Sequence, residues 1–181
     1  MRIIVVGCSG AGKTTLARQI ASRLRLEHIE IDAITWQAGW RDLSRSDPDE
    51  YARRVTKAME AEAWVVDQPL PKHLRLRATH VVWLDYERPV VMARVIRRSM
   101  LRAVLRTKLW AGNRERLSDM LRASGPIRWA WRNWARRRRE TEEWLGLEEC
   151  AGLTVLRLRR PGETATVVER LAGAAHIQRP A

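Results

Sequence analysis

Eight consecutive residues, Gly7-Cys8-Ser9-Gly10-Ala11-Gly12-Lys13-Thr14, satisfy the pattern G-x-x-x-x-G-K-[ST] without exception. The chemistry this spacing serves is the grip of a polyphosphate. Glycines let the main chain curl until successive N–H groups point inward at phosphate oxygens. A helix opening directly behind them adds its positive end. Lys13 is expected to reach the β- and γ-phosphates, and Thr14 to set its hydroxyl on Mg²⁺. The predicted binding set for the triphosphate is Gly7, Ser9, Gly10, Ala11, Gly12, Lys13, Thr14 and Thr15, with ATP and Mg²⁺ as cofactors. A dinucleotide fingerprint would need a further glycine near position 15, where Thr15 stands. Cys8 reads as a small residue that fits the loop.

The flanking elements are those such a loop needs. Arg2–Val6 is an apolar, β-branched burst that stops at Gly7, the signature of a fully buried parallel strand. Helical spacing follows over 13–25 through Leu16, Ile20 and Leu24. A second short strand, His28–Ile31, is expected to end at Asp32. Ser46-Asp47-Pro48-Asp49-Glu50 starts a helix to about Glu62: Asp47 can cap, Pro48 suits the first turn and Glu50 completes a capping box. A third strand, Trp64–Asp67, is stopped by Pro69 and Pro71. A fourth, His80–Asp85, leads into a helix from about Arg88 to Arg106. Periodicity is weak over 107–125, and a Gly125-Pro126 breaker precedes a second basic helix over about 127–145. The strand Leu153–Leu158 and a helix through Val167, Val168 and Leu171, stopped near Gly173, complete the order. Strands alternating with helices predict an α/β chain with a parallel sheet covered on both faces. The expected organisation is one domain over 1–181, with the basic stretch of about 99–145 inserted between the fourth and fifth strands.

Composition adds a location for charge. The chain has 181 residues, enough for one domain with a real core, and 45% are apolar. Phe is absent and Trp occurs nine times, so Trp carries much of the aromatic packing. The formal charge is +13, yet residues 88–139 alone hold sixteen Arg or Lys against two acids, Glu115 and Asp119. The excess belongs to one region and points to an anionic partner there, nucleic acid among them. Within it, Trp129–Arg139 interleaves aromatic and basic residues. Packing of Trp131, Trp134 and Leu145 against the body is favoured over stacking on nucleic acid or rest on an anionic membrane. Glu140, Glu142 and Glu143 can pair with the preceding arginines at helical spacing. Cys8 and Cys150 have no metal-ligand spacing and make no disulfide framework, which suggests reduced thiols and a cytoplasmic protein. The N-terminal apolar run is too short for a signal-peptide core, and no stretch approaches the roughly 18 apolar residues of a membrane span.

Further candidates lie outside the loop. Asp32 and Asp67 are expected to end strands on the edge where Gly7 ends the first, the carboxyl edge at which open α/β sheets bind ligands. Asp67 is the candidate for the Mg²⁺ water shell, beside Thr14. Asp32 could accept a hydrogen bond from an acceptor hydroxyl or serve as its base. A helix cap or solvated turn is the plain alternative for both. Arg94 and Arg98, four apart, share a helix face with Arg97 beside them, and Arg114 sits in the Gly112–Glu115 turn. Their planar forks match the equatorial oxygens of a phosphoryl group in transfer; a solvated helix face is the alternative.

Several stretches together resemble the adenylate-kinase-like group of P-loop kinases, and in particular the bacterial DNA topology modulation (FlaR-type) proteins. They are the loop, His28–Asp32 followed by Trp36, Trp64-Val65-Val66-Asp67, the fourth strand with its Arg-bearing helix, and Leu109-Trp110-Ala111-Gly112-Asn113-Arg114-Glu115. The resemblance covers most of the chain. It implies a three-layer α/β/α P-loop NTPase fold with a five-stranded parallel sheet of order 2-3-1-4-5 and a helical lid after strand four. It also implies a catalytic arginine pair at Arg94 and Arg98, a lid arginine at Arg114 and a structural place for Asp85. By the same resemblance the base packs near Arg159-Arg160-Pro161-Gly162, which points to adenine. The expected activity is transfer of the γ-phosphoryl of Mg-ATP to a small anionic or hydroxyl acceptor, nucleotides among them. Where relatives usually follow the third-strand Asp with glycine, this chain has Gln68-Pro69, so the acceptor pocket is altered. Two other readings stay open: a nucleic-acid-binding protein with a nucleotide switch site, and a nucleotide-binding remnant without catalysis. No Asn-Lys-x-Asp follows the loop, which disfavours guanine-specific chemistry.

Overall fold

The computed structural model describes residues 1–68, 70–114 and 125–177. Strand β1 (Arg2–Gly7) is central. Its Ile3 and Val5 enter one core cluster, Ile4 and Val6 the other, and all four are fully buried. A strand covered on both faces needs no polar alternation, which is why its sequence reads as one apolar run. β1 pairs in parallel with β5 (Trp64–Val66) and β6 (His80–Leu84). Strand β2 (Glu27–Ile29) lies outside β5, and β7 (Thr154–Leu158) outside β6. The sheet order is therefore β2-β5-β1-β6-β7. It departs from the expected 2-3-1-4-5 in its count. Two short strands, β3 (Trp36–Gln37) and β4 (Arg41–Asp42), intervene along the chain and form an antiparallel hairpin of their own. Positive φ at Gly39 and Trp40, 71° and 59°, makes that turn.

The first helix, α1 (Lys13–Leu24), buries Leu16, Ala17 and Ile20. Two short helices follow, α2 (Ile31–Thr35) and α3 (Leu43–Ser46). In α4 (Pro48–Ala58) the Asp47 side chain caps, accepting from the Glu50 amide at 3.0 Å, with Pro48 in the first turn. The expected capping box is not completed. Glu50 accepts from Arg53 and Arg54, each at 2.7 Å, and those bonds draw its pKa down to about 2. Nor does α4 reach Glu62: it stops where Met59 is fully buried and its carbonyl accepts from Arg77 Nη1 at 2.6 Å.

Short α5 (Lys72–Arg75) leads to β6. Helices α6 (Arg88–Val104) and α7 (Pro126–Leu145) pack on each other. The last helix, α8 (Thr164–Ile177), packs on α1 and runs past Gly173 instead of stopping there. A helical glycine costs only about 1 kcal/mol, and Ala172, Ala174 and Ala175 flank this one. Between α6 and α7 a 3-10 turn covers Trp110–Gly112. Glu115 and Asp119, like Pro69, lie outside the described residues.

Much of the basic segment is spent internally. Asp85, buried after β6, takes Arg138 at 2.9 Å and Arg157 at 2.6 Å. Arg157 also lies 4.1 Å over the Trp83 ring, and Arg88 stands near both Trp131 (4.8 Å) and Trp134 (4.9 Å). Arg136 and Arg137 reach Glu140, and Glu142 reaches Arg157. Trp134 and Leu145 pack on the body as expected, whereas Trp131 is 55% exposed. Trp144, the penultimate residue of the helix, is the residue buried instead.

Candidate active site

The loop between β1 and α1 is bent by glycines and roofed by α6. Gly10 and Gly12 have φ of 84° and 103°, a region costly to any side chain. A methyl at Gly10 would stand 2.1 Å from Val95 Cγ2, and one at Gly12 2.7 Å from Arg94 Nη2. Inside the turn, the Cys8 carbonyl accepts from the Ala11 amide at 3.1 Å and from Lys13 Nζ at 3.4 Å. Among the described residues, nothing accepts from the amides of Gly10 and Gly12. Donors left in this way at a helix N-terminus suit an anion. Ala11 is buried, Ser9 half-buried and Thr15 exposed. Burial lowers the Lys13 pKa, Arg98 acts in the same direction, and Asp32 and Asp67 oppose both. Cys8 is buried, its Sγ 3.9 Å from the Ala130 carbonyl, and burial raises its pKa. Such a thiol is inert packing.

Asp67 follows β5 directly and is 1% exposed. Its Oδ2 accepts from the Thr14 hydroxyl at 2.5 Å, and its Oδ1 from the Ile31 amide at 3.4 Å. The second bond corrects the placing of Asp32. Strand β2 ends at Ile29, the chain turns where Asp67 meets Ile31, and Asp32 stands in the first turn of α2, not at a strand end. Burial raises the Asp32 pKa, with Lys13 opposing. Its Oδ1 accepts from Gln68 Nε2 at 2.5 Å. Beneath Asp67, His28 Nε2 is 3.9 Å from Oδ2, and burial lowers that imidazole's pKa.

Arg94 comes to the loop from α6, 5.8 Å over the Tyr86 ring. Arg98, one turn on, is half-buried and close enough to Lys13 to influence its protonation. Arg114 is exposed at the end of a segment clasped to the β3–β4 hairpin. In that clasp Asn113, 7% exposed, donates to the Gln37 carbonyl at 2.8 Å and accepts from the Trp40 amide at 3.1 Å. Trp110 Nε1 donates to Glu30 at 2.8 Å, and Glu30 also holds Arg18 at 2.8 Å. The structure thus gathers Lys13, Thr14, Asp67, Asp32, Arg94 and Arg98 around one loop, with Arg114 farther out. Residue-type reasoning singled out neither Glu30 nor the amide of Gln68; the Gln68-Pro69 departure was the one signal of the latter.

Among the described residues no three His, Cys, Asp or Glu cluster as a metal cage. The pair Thr14–Asp67 fits Mg²⁺ on other grounds. Both offer hard oxygens, and Mg²⁺ commonly keeps several waters and takes one or two carboxylates plus substrate phosphates.

No protein family matches the chain, and no curated protein does. Solved structures do. An unliganded sugar kinase from a Janibacter species shares 19% identity, with 98% of this chain and 95% of that one covered and a TM-score of 0.52. Shikimate kinase from Acinetobacter baumannii, in complex with shikimate, shares 15% over 99% and 95%, with a TM-score of 0.57. Deoxyadenosine kinase from M. mycoides, with dCMP and dCDP bound, shares 13% over 99% and 100%, with a TM-score of 0.54. Identities this low establish the fold, the three-layer α/β/α fold of P-loop kinases, and not membership of the narrower FlaR-type group. Among the described residues no helix is long and apolar enough to cross a membrane.

Proposed function

We propose that this protein is a cytoplasmic phosphotransferase of one domain, related to the FlaR-type proteins, that moves the γ-phosphoryl of Mg-ATP to a hydroxyl on a small acceptor. The observation that carries the reading is the 2.5 Å contact of Thr14 with Asp67 beside Lys13, where a buried carboxylate meets a phosphate loop. The solved kinases of similar fold support it.

In this reading the amides and glycines of Gly7–Thr14, with Ser9, Ala11 and Thr15, hold the triphosphate and orient it. Thr14 and Asp67 would hold Mg²⁺, which supplies charge neutralisation of the phosphates. Lys13, Arg94 and Arg98 meet the charge that spreads over the equatorial oxygens. Asp32 accepts the proton of the attacking hydroxyl. The 109–113 clasp, with Arg114 behind it, excludes water that would otherwise take the phosphoryl group. The test is titration of Mg-ATP by intrinsic Trp fluorescence, then a transfer assay over an acceptor panel. ATP binding with no turnover on any acceptor returns the protein to the non-catalytic reading. Of the basic residues on α7, Arg137 and Arg138 are engaged with Glu140 and Asp85 and lend nothing to a nucleic-acid reading.

A further inference from the structure

Gln68 stands where the resemblance leads one to expect glycine, and its side chain is used. Its Nε2 donates to Asp32 Oδ1, which leaves two oxygens, Asp32 Oδ2 and Gln68 Oε1, with no hydrogen-bond donor among the described residues. A carboxamide that donates through its NH₂ turns its own oxygen outward as an acceptor. The bridging bond sets the carboxylate and the carboxamide side by side, so the two acceptors belong to one site. Trp36, four residues beyond Asp32, caps α2 with its amide on the Asp32 carbonyl, and its half-buried ring stands edge-on to Trp40 with centroids 5.7 Å apart.

Two such acceptor oxygens call for a ligand that gives hydrogen bonds. Asp32 and Asp67 both act on Lys13. Among the basic residues near Asp32 and Gln68 in the chain, Arg45 pairs with Asp42, Arg53 and Arg54 with Glu50, and Lys72 with Glu149, whereas Arg41 has no ion pair among the described residues. A phosphate terminus is mostly ionised at neutral pH and offers acceptors where these two oxygens need donors.

We infer that Asp32 and Gln68 together read two neighbouring hydroxyl groups, so that the acceptor is a vicinal diol and Gln68 a specificity-determining residue. The inference rests on the phosphotransferase reading above. One hydroxyl gives its hydrogen bond to Asp32 Oδ2 and is the nucleophile. Its oxygen forms the new bond to the γ-phosphorus as the bond from that phosphorus to the β,γ-bridging oxygen breaks. ADP leaves with that bond's electron pair, and the hydroxyl proton passes to Asp32. The adjacent hydroxyl gives its hydrogen bond to Gln68 Oε1 and does not react. It fixes which oxygen is aligned.

The test has two stages, so that the two readings fail separately. Mg-ATP binding is titrated first on the full chain without acceptor; no binding defeats the phosphotransferase reading itself. Transfer from Mg-ATP is then measured with glycerol and cis-1,2-cyclohexanediol, with 1,3-propanediol and cis-1,3-cyclohexanediol as counterparts without neighbouring hydroxyls, and with AMP. Wild type and Gln68→Met are compared, with the variant's folding checked by circular dichroism. The expected result is turnover of at least one diol, with kcat/KM about 10- to 100-fold above its counterpart, and collapse of that ratio to within about threefold in Gln68→Met. Equal use of diol and counterpart by wild type, an unchanged ratio in the variant, turnover of AMP alone, or no turnover although Mg-ATP binds, each overturns it.

Discussion

Thr14 and Asp67, 53 residues apart, share a 2.5 Å hydrogen bond that ties the first turn of α1 to the end of β5. The loop is thereby fastened to the carboxylate that faces it. Replacing Thr14 with Val keeps the shape and removes the oxygen. Asp67 Oδ2 then has only the His28 contact at 3.9 Å, and a buried acceptor left in this state costs about 1–3 kcal/mol. Calorimetric titration with ATP, with and without Mg²⁺, should show the Mg²⁺-dependent gain in affinity fall at least about tenfold. A gain equal to wild type would remove Thr14 from the proposed metal site.

Gly10 carries two constraints that a double variant separates. Gly10→Ala meets Val95 Cγ2 at 2.1 Å and must also hold φ at 84°. Overpacking costs about 1–3 kcal/mol, and the left-handed backbone a further 1–2 kcal/mol or so. Denaturant unfolding should show the combined loss. Gly10→Ala with Val95→Ala should relieve the clash and keep the backbone penalty, beyond what Val95→Ala costs alone. Full recovery would mean that the conformation itself is free.

The loop and the sheet were legible because each has a local cause. Ile3–Val6 is buried on both faces and reads as one apolar run, and the glycines that follow are required by backbone angles alone. What was not legible depends on a partner distant in the chain. Ile31 leaves its strand because Asp67 takes its amide, which moves Asp32 into a helix. Glu50 abandons the cap because two guanidinium groups compete for it. Trp131 and Trp144 have equal claims to burial by residue type, and only the path of α7 exposes one and buries the other. The clasp by Asn113 likewise joins residues more than seventy positions apart.

That clasp predicts a leak. Asn113 satisfies both ends of its amide on the hairpin backbone, and Asn113→Ala removes both bonds. If segment 109–113 shields the phosphoryl group, the variant should hydrolyse ATP more relative to transfer, by about tenfold, with ATP affinity little changed. The ratio of phosphate released to acceptor phosphorylated is the measurement. An unchanged ratio would make the contact structural only.

Asp85 predicts a loss of stability without a matching loss of nucleotide binding. Its carboxylate is 3% exposed and holds Arg138 and Arg157, which are 42% and 29% exposed. Breaking a buried ion pair costs about 3–5 kcal/mol, and the partial exposure of both arginines reduces that to roughly 2–3 kcal/mol for Asp85→Ala. Urea unfolding should report it. A loss under about 0.5 kcal/mol would mean that the arginines find water as readily as they find Asp85.

Asp32 is expected to trade stability for chemistry, with a sign fixed by its environment. Burial raises its pKa in the folded protein. The contribution to stability is therefore fully present below the unfolded-state pKa and is lost as pH rises through the elevated folded value. At neutral pH the unliganded protein carries the cost of a buried carboxylate, which Asp32→Asn removes. The variant should melt at a higher temperature than wild type near neutrality, and the difference should shrink and vanish as pH falls below the ordinary carboxylate range. Activity runs the other way: wild-type turnover should rise through the raised Asp32 pKa, as the carboxylate becomes free to take a proton. Asp32→Asn should lose that limb with about 10²- to 10⁴-fold of the rate. Melting curves across pH and one pH–rate profile decide it, and a variant less stable than wild type at neutral pH would show that Asp32 is held charged by partners stronger than its burial.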